Sequence, residues 1–456
     1  MRRRDFIKVS LIGGLSILLP KYTYASKLDL SKINFSKRDF NAQTIIIYMY
    51  GGASSLAGNI TNITEINRHS QSDYYNYFRG ITPTENGFWK EAGGEDLEKM
   101  LSNGDMSVYR TCYSEIREKA GNKAHGVCTE QNQKGVFDTN GAGGIVANLA
   151  NILNANGVID STTFMPFITM EGDSKFYEDG NLKTPSYLKA VGIDENFNNP
   201  YERARWSVRS WIYYTKDERK KKNYNKSDKE GGFDPAFSAT LDKVAQQNSK
   251  DGKIKDAFAK RGDLATFKNE IKNSTTPDLG ENAYPEDNQF AKKLEAAIKI
   301  LHKNSDTKVI TLGTGGLGGW DDHNDARDYV TRSEKLFRAL RSAVAHLKAI
   351  DKINEVNIML FAEFGRNVNL NSANGWDHGN LQNLYIFGGK GYFNHKGVVG
   401  ETTLDVTGKV NRLWLKPKSG TYWFEPLSIG ATLYNIYGID NPEVLTGGYG
   451  AIDIVT

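Results

Sequence analysis

Cysteine is almost absent: in 456 residues there are two, Cys112 and Cys128. That excludes a disulfide-built scaffold and a four-cysteine zinc site. In an oxidising compartment the pair has two states open to it, a bridge across a short loop or two buried thiols. Neither cysteine stands in a Cys-x-Pro-x-Arg context, which argues against a nucleophile made by modifying a cysteine. A surplus of one charge is missing too. The formal charge is +4, but Arg2, Arg3, Arg4, Lys8 and Lys21 stand against Asp5 alone in the first 25 residues, so the remainder is neutral. A neutral chain gives no ground for binding nucleic acid or an anionic membrane surface. The longest apolar run, 9–19, is too short for a permanent membrane span. Histidine is also scarce, at seven residues, so the positions of the few present carry weight.

What is present begins with a leader. Arg2-Arg3-Arg4-Asp5-Phe6 precedes the apolar run, and Pro20 and Thr23-Tyr24-Ala25 follow it. This is the pattern of a twin-arginine signal peptide over residues 1–25, with a small-x-small cleavage site. It predicts a periplasmic or secreted protein, with the twin-arginine translocase as its partner during export. That route carries folded proteins and suits one that acquires a cofactor before leaving the cytoplasm. With 39% hydrophobic residues and 45 glycines, residues 40–456 are expected to form one elaborated, loop-rich domain.

Strand and helix patterns alternate along that domain. The run 44–50 reads as a buried central strand, closed by Gly51-Gly52 and the small residues Ala53-Ser54-Ser55. A glycine-rich turn there can cradle an anion or present a nucleophile, which makes Ser54 and Ser55 nucleophile candidates; the alternative is a tight strand-to-helix turn. Further strands are expected at 106–110, 164–169, 309–312, 356–362 and 384–387, and helices at 96–101, 141–154, 290–301 and 326–350. The stretch 201–288 interrupts the alternation with dense charge, around Lys216 to Lys222, and helical segments, and is expected to be an insertion or cap on the sheet. Strand, helix and strand in this order predict parallel crossovers, whose functional loops lie at the carboxyl ends of the strands.

Two clusters fall at such ends. Gly319-Trp320-Asp321-Asp322-His323 follows one strand, and Gly375-Trp376-Asp377-His378 echoes it after another. Aspartate and histidine are ligands of divalent metals, and the repetition predicts one shared site built from Asp321, His323, Asp377 and His378. His125, in Ala124-His125-Gly126, is a further candidate ligand. Glu363 and Arg366, just past the strand 356–362, fall on the same edge. Glu363 is expected to complete the metal shell or act as a base, and Arg366 to hold an anionic substrate through a bidentate contact. His302 and His346 lie on amphipathic helices and His395 lacks such context, so packing or solvation is expected for all three.

The strand ending at Gly51-Gly52, Ala-His-Gly at 124–126, Gly-Gly-Trp-Asp-Asp-His at 318–323, Ala-Glu-Phe-Gly-Arg at 362–366 and Trp-Asp-His-Gly at 376–379 together resemble domain-of-unknown-function family 1501. That family groups twin-arginine-exported proteins and is placed in the alkaline phosphatase and sulfatase superfamily. The resemblance implies a three-layer α/β/α sandwich with a mostly parallel, alkaline phosphatase-like sheet. It also implies one or two divalent metals (zinc, manganese or calcium) and a small anionic phosphate or sulfate ester as substrate. By resemblance, Asp321 and His323 form the Asp-and-His pair of one metal site and His378 its later histidine. The superfamily's acidic residue at the end of the first strand is replaced here by Tyr50, and Phe364 stands where a histidine would follow an acid. These departures imply a reduced, one-metal site. The competing expectation is a non-catalytic periplasmic binding or assembly protein on the same fold.

Overall fold

The computed structural model describes residues 27–38, 41–197 apart from 71, 72, 79 and 173, then 266–406 and 413–452, with isolated positions 243, 247 and 263. Strand β1 (Gln43–Met49) is buried along its whole length. Its side chains divide by parity: Ile45, Ile47 and Met49 enter one apolar cluster, and Ile46 and Tyr48 enter another on the opposite face. A strand covered on both faces must be apolar at every position, which is why 44–49 reads as a continuous run. Each of these isoleucines contributes roughly 1.5–3 kcal/mol by leaving water.

The remaining strands are β2 (Met106–Tyr113), β3 (Phe167–Thr169), β4 (Val191–Gly192), β5 (Val309–Gly313), β6 (Val356–Ala362), β7 (Leu381–Gly388) and β8 (Val398–Val399). They form one sheet in the order β4-β3-β5-β1-β6-β7-β2-β8. β1 pairs in parallel with β5 and β6 on its two sides. β7 runs antiparallel to both β6 and β2, so β2 points the same way as β1. A separate antiparallel pair, β9 (Thr402–Asp405) and β10 (Trp414–Pro417), lies outside the main sheet.

Helices cover both faces. Gly94–Ser102, Gln289–Lys303 and Asp328–Ala349 pack on the side of Ile45 and Ile47, while Ile145–Ala155 and Leu427–Ile436 pack on the side of Ile46 and Tyr48. The result is the expected three-layer α/β/α sandwich with a mostly parallel sheet. Each expected strand and helix named above has a counterpart, with ends shifted by a few residues. Most of the expected insertion, 201–288, and the whole leader, 1–25, lie outside the described residues. Where the insertion is described, Phe267 and Ile271 are buried against the sheet's helices. Among the described residues, no helix is long and apolar enough to cross a membrane. Cys112 and Cys128 are two separate buried thiols.

Candidate metal centre

Four chain segments reach the carboxyl edge of β1, β5 and β6, and two glycines let them approach. Gly51, with φ +108°, ends β1 and lies so close to the first Gly-Trp-Asp cluster that a Cβ there would sit 2.6 Å from the Asp321 nitrogen. A Cβ on Gly375 would sit 2.1 Å from the carbonyl carbon of His323. The glycine of the second cluster therefore makes room for the backbone of the first. Main-chain bonds then join them: Trp376 N donates to Asp322 O at 2.7 Å, and Ala326 N to Asn374 O at 2.9 Å.

The two tryptophans anchor this pairing. Trp320 and Trp376 are buried on either side of Tyr329, with ring centroids 5.9 and 5.2 Å away. Trp320 Nε1 donates to Thr314 Oγ1 and Trp376 Nε1 to Tyr74 Oη. Asp322 turns inward to pair with Arg332. What remains at the surface is Asp321, His323 and His378, and His125 joins them from the first turn of the helix His125–Lys134.

These four residues offer one ligand atom each, all within 4.8 Å of one another. His323 Nε2 is 2.9 Å from His378 Nε2 and 3.3 Å from Asp321 Oδ1, and His125 Nε2 is 3.5 Å from the same oxygen. Donors placed tetrahedrally around an ion at bond lengths of 2.0–2.1 Å stand about 3.3 Å apart. The donor set could therefore hold a single metal ion.

Each imidazole also has an acceptor behind it. His125 Nδ1 bonds Glu363 Oε1, His378 Nδ1 donates to Lys123 O at 2.6 Å, and His323 Nδ1 faces Asp377 Oδ1 at 3.6 Å. For His125 and His378 the bonded acceptor on Nδ1 places the proton there and leaves the Nε2 lone pair for a metal. Burial, and then the nearby Arg366 charge, push the pKa of His378 down to about 4. It is neutral, and able to ligate, well below pH 7. Burial alone would raise the Asp321 carboxyl, but the hydrogen bond and charge of Arg366, with His125 and His323 behind them, hold it below its ordinary value.

Several expected site residues occupy other places. Asp377 stands behind His323, outside the ligand group. Glu363 is 2% exposed and takes bonds from His125, Thr129 Oγ1 and Gly51 N, so it orients a ligand from below. Arg366, also 2% exposed, commits its guanidinium to the carbonyls of Gly51, Gly52 and Trp376 and to Asp321 Oδ1. That leaves its fork turned away from any incoming anion. Ser54 and Ser55 are buried beneath the turn: Ser54 Oγ accepts from Leu56 N, and the Ser55 carbonyl accepts from Asn383 Nδ2. Phe364 packs its ring 4.9 Å from that of His125 and 4.6 Å from that of His378, forming a floor where a second acid-and-histidine pair is missing.

Sequence reasoning missed two contributors and one buried acid past a neighbouring strand. Lys123 acts through its carbonyl, which no side-chain motif reveals. Asn371 donates to His323 O at 3.0 Å and fixes the loop. Glu171, just past β3 beside Gly313 and Tyr50, has both carboxyl oxygens buried, and burial raises its pKa to about 7.

Comparison with known proteins places this site in context. Residues 219–405 match the family model described as "Protein of unknown function (DUF1501)". No curated protein matches. Among solved structures, the alkaline phosphatase from the Antarctic bacterium TAB5 is 10% identical at a TM-score of 0.37, over 89% of this chain and 99% of that one. A protein in the alkaline phosphatase superfamily from Vibrio parahaemolyticus is 9% identical at 0.37, over 99% and 78%. The lipoteichoic acid synthase LtaP from Listeria monocytogenes is 9% identical at 0.37, over 92% and 79%.

Proposed function

We propose that this chain, which carries the DUF1501 match, is an exported hydrolase that uses one divalent metal to cleave a phosphate or sulfate ester. The observation that carries the reading is the set of three imidazoles, each with its Nδ1 faced by an acceptor and its Nε2 turned toward one point beside Asp321. A donor set of three nitrogens and one carboxylate suits zinc or another transition metal, and is a poor match for calcium, which takes oxygen ligands. A metal held there supplies Lewis acidity to an ester oxygen and to attacking water.

The chain's own groups do the rest. His125, His323 and His378 bind. Asp321, whose side chain is 52% exposed, stays ionised at the open face of the site and accepts a hydrogen bond that orients the attacking water. Arg366 and Glu363 hold Asp321 and His125 in place. With Ser54 and Ser55 buried, water rather than a serine is the attacking group. Export is supported by the leader at residues 1–25, and the ester class by the family resemblance of the motifs.

The buried serines and the committed Arg366 favour a second reading, a binding or assembly protein that keeps a structural ion. Elemental analysis of the folded mature protein, with His378→Ala alongside, is the test, followed by assays on p-nitrophenyl phosphate and p-nitrophenyl sulfate. About one equivalent of metal, lost with turnover in the variant, supports the hydrolase. Metal retained in His378→Ala overturns the site, and bound metal with no turnover supports the binding protein.

A further inference from the structure

Two loops meet behind His378. One is the short link between the helices Glu115–Ala120 and His125–Lys134, where the Lys123 carbonyl accepts from His378 Nδ1 at 2.6 Å. The other runs from His378 to the start of β7 at Leu381. The contact between them lasts only while the two loops keep their spacing.

Both loops are tied to one carboxylate oxygen. Glu118 Oε2 pairs with Lys123 Nζ at 3.1 Å and also accepts from Asn380 Nδ2. Lys123 is the residue that supplies the carbonyl, and Asn380 lies two residues past His378, so the tie grips the contact from both sides. Its parts are held in turn. Asn380 is buried, and the Lys123 ammonium lies over the Trp414 ring, 4.0 Å from its centroid. Hydrogen bonds to an ionised acceptor are roughly twice as strong as neutral ones.

The tie matters because of what His378 meets on its other side. Its Nε2 stands 2.9 Å from His323 Nε2. Without a metal, two neutral rings in that contact need one proton between them, and either ring can supply it. The Lys123 carbonyl decides. It keeps the His378 proton on Nδ1, so His323 donates and the His378 Nε2 lone pair stays ready for a metal. With the carbonyl withdrawn, His378 can carry its proton on Nε2 instead and lose that readiness.

We infer that Glu118 is a positioning residue: by holding Lys123 and Asn380 on one oxygen it fixes the tautomer of His378. The inference rests on the metal centre proposed above for its consequence, which is tighter metal binding.

Ring-nitrogen NMR of the full mature protein tests this, with histidine labelled, metal removed and the pH high enough to keep imidazoles neutral. His378 is assigned by its loss in His378→Ala. The wild type is expected to carry the His378 proton on Nδ1, and Glu118→Ala to show a mixture of tautomers. Chelator competition should show zinc held at least about fivefold more weakly in Glu118→Ala, short of the roughly 10–100-fold effect of a direct outer partner. Glu118→Gln, which keeps an oxygen for both donors, should restore the wild-type tautomer. Lys123→Met cuts the tie, keeps the carbonyl and serves if Glu118→Ala does not fold. Wild-type tautomer and zinc affinity in Glu118→Ala overturn the inference. So does a lowered denaturant midpoint with the tautomer unchanged, the mark of a merely structural contact. A wild type that binds no zinc refutes the metal centre instead, and the tautomer then decides the inference alone.

Discussion

Glu363→Gln separates a positioning carboxylate from a ligand. The wild-type carboxylate takes three bonds in a site 2% exposed: His125 Nδ1 and Gly51 N on one oxygen, and Thr129 Oγ1 on the other. Glutamine keeps the shape. Its amide oxygen can hold the first pair, and its NH2 can donate to the threonine oxygen, so the fold should survive. What is lost is the negative charge behind His125, which raises the basicity of Nε2. Changes to such outer partners weaken metal affinity about 10–100-fold, or roughly 1.4–2.7 kcal/mol. Competition with a colorimetric zinc chelator measures the shift directly. Glu363→Ala should do worse, because it strands the Gly51 and His125 donors in a buried place at roughly 1–3 kcal/mol each. If Glu363→Gln binds zinc with unchanged affinity, His125 is not oriented in this way. Abolished rather than weakened binding would make Glu363 a direct ligand.

Gly375→Ala should cost about 2 kcal/mol or more, since its Cβ meets the backbone of His323 and no side-chain rotation relieves that contact; a denaturant midpoint equal to wild type contradicts the close approach of the clusters. Ser54→Ala, which strands the buried Leu56 N–H, should cost roughly 1–3 kcal/mol, and Ser55→Ala, whose hydroxyl has no partner, about 1 kcal/mol or less; both should leave ester turnover intact, and loss of turnover in either would restore a serine nucleophile. Glu171 gives a pH dependence. Its folded pKa of about 7 lies above the ordinary value of 4.5, so the folded state favours the proton. Its contribution is full below about pH 4.5 and is lost as pH rises through 7. Glu171→Gln should therefore stabilise the protein at pH 8 by on the order of 2 kcal/mol and do little at pH 4, as thermal unfolding at the two pH values will show.

Much of the fold was legible because buried parallel strands must be apolar on both faces, and the runs at 44–50 and 356–362 have no other simple explanation. The repeated Gly-Trp-Asp was legible for a related reason: glycine for close approach, tryptophan for anchoring and aspartate at the surface recur wherever a loop is tied down beside a strand end. The roles within the clusters were less accessible. Asp321 and Asp377 occupy equivalent places in their motifs, yet one faces the imidazole nitrogens and the other backs a ligand. That difference depends on which loop lies above the other, set by pairings such as Asn324 with Asn374. Arg366 looked like an anion holder because its surroundings were unknown; four carbonyls and a carboxylate surround it. His125 reaches the site because β2 runs alongside β7 and points the same way as β1, a long-range pairing that no local pattern encodes.

The balance between a catalytic and a structural ion turns on Asp321. Structural zinc sites are closed by four protein ligands, whereas catalytic sites keep one position open. On the proposed reading the three imidazoles are the permanent ligands, two of them with an acceptor bonded to Nδ1 and His323 with Asp377 Oδ1 3.6 Å away. Asp321 differs on two counts. It is the most exposed of the four, and its Oδ1 already takes a 2.6 Å bond from a buried guanidinium. An oxygen that shares its charge with Arg366 donates less to a metal and exchanges more easily with water. A hydrolase would gain a carboxylate held beside an exchangeable position, kept ionised by the same arginine and placed to orient an attacking water by hydrogen bond.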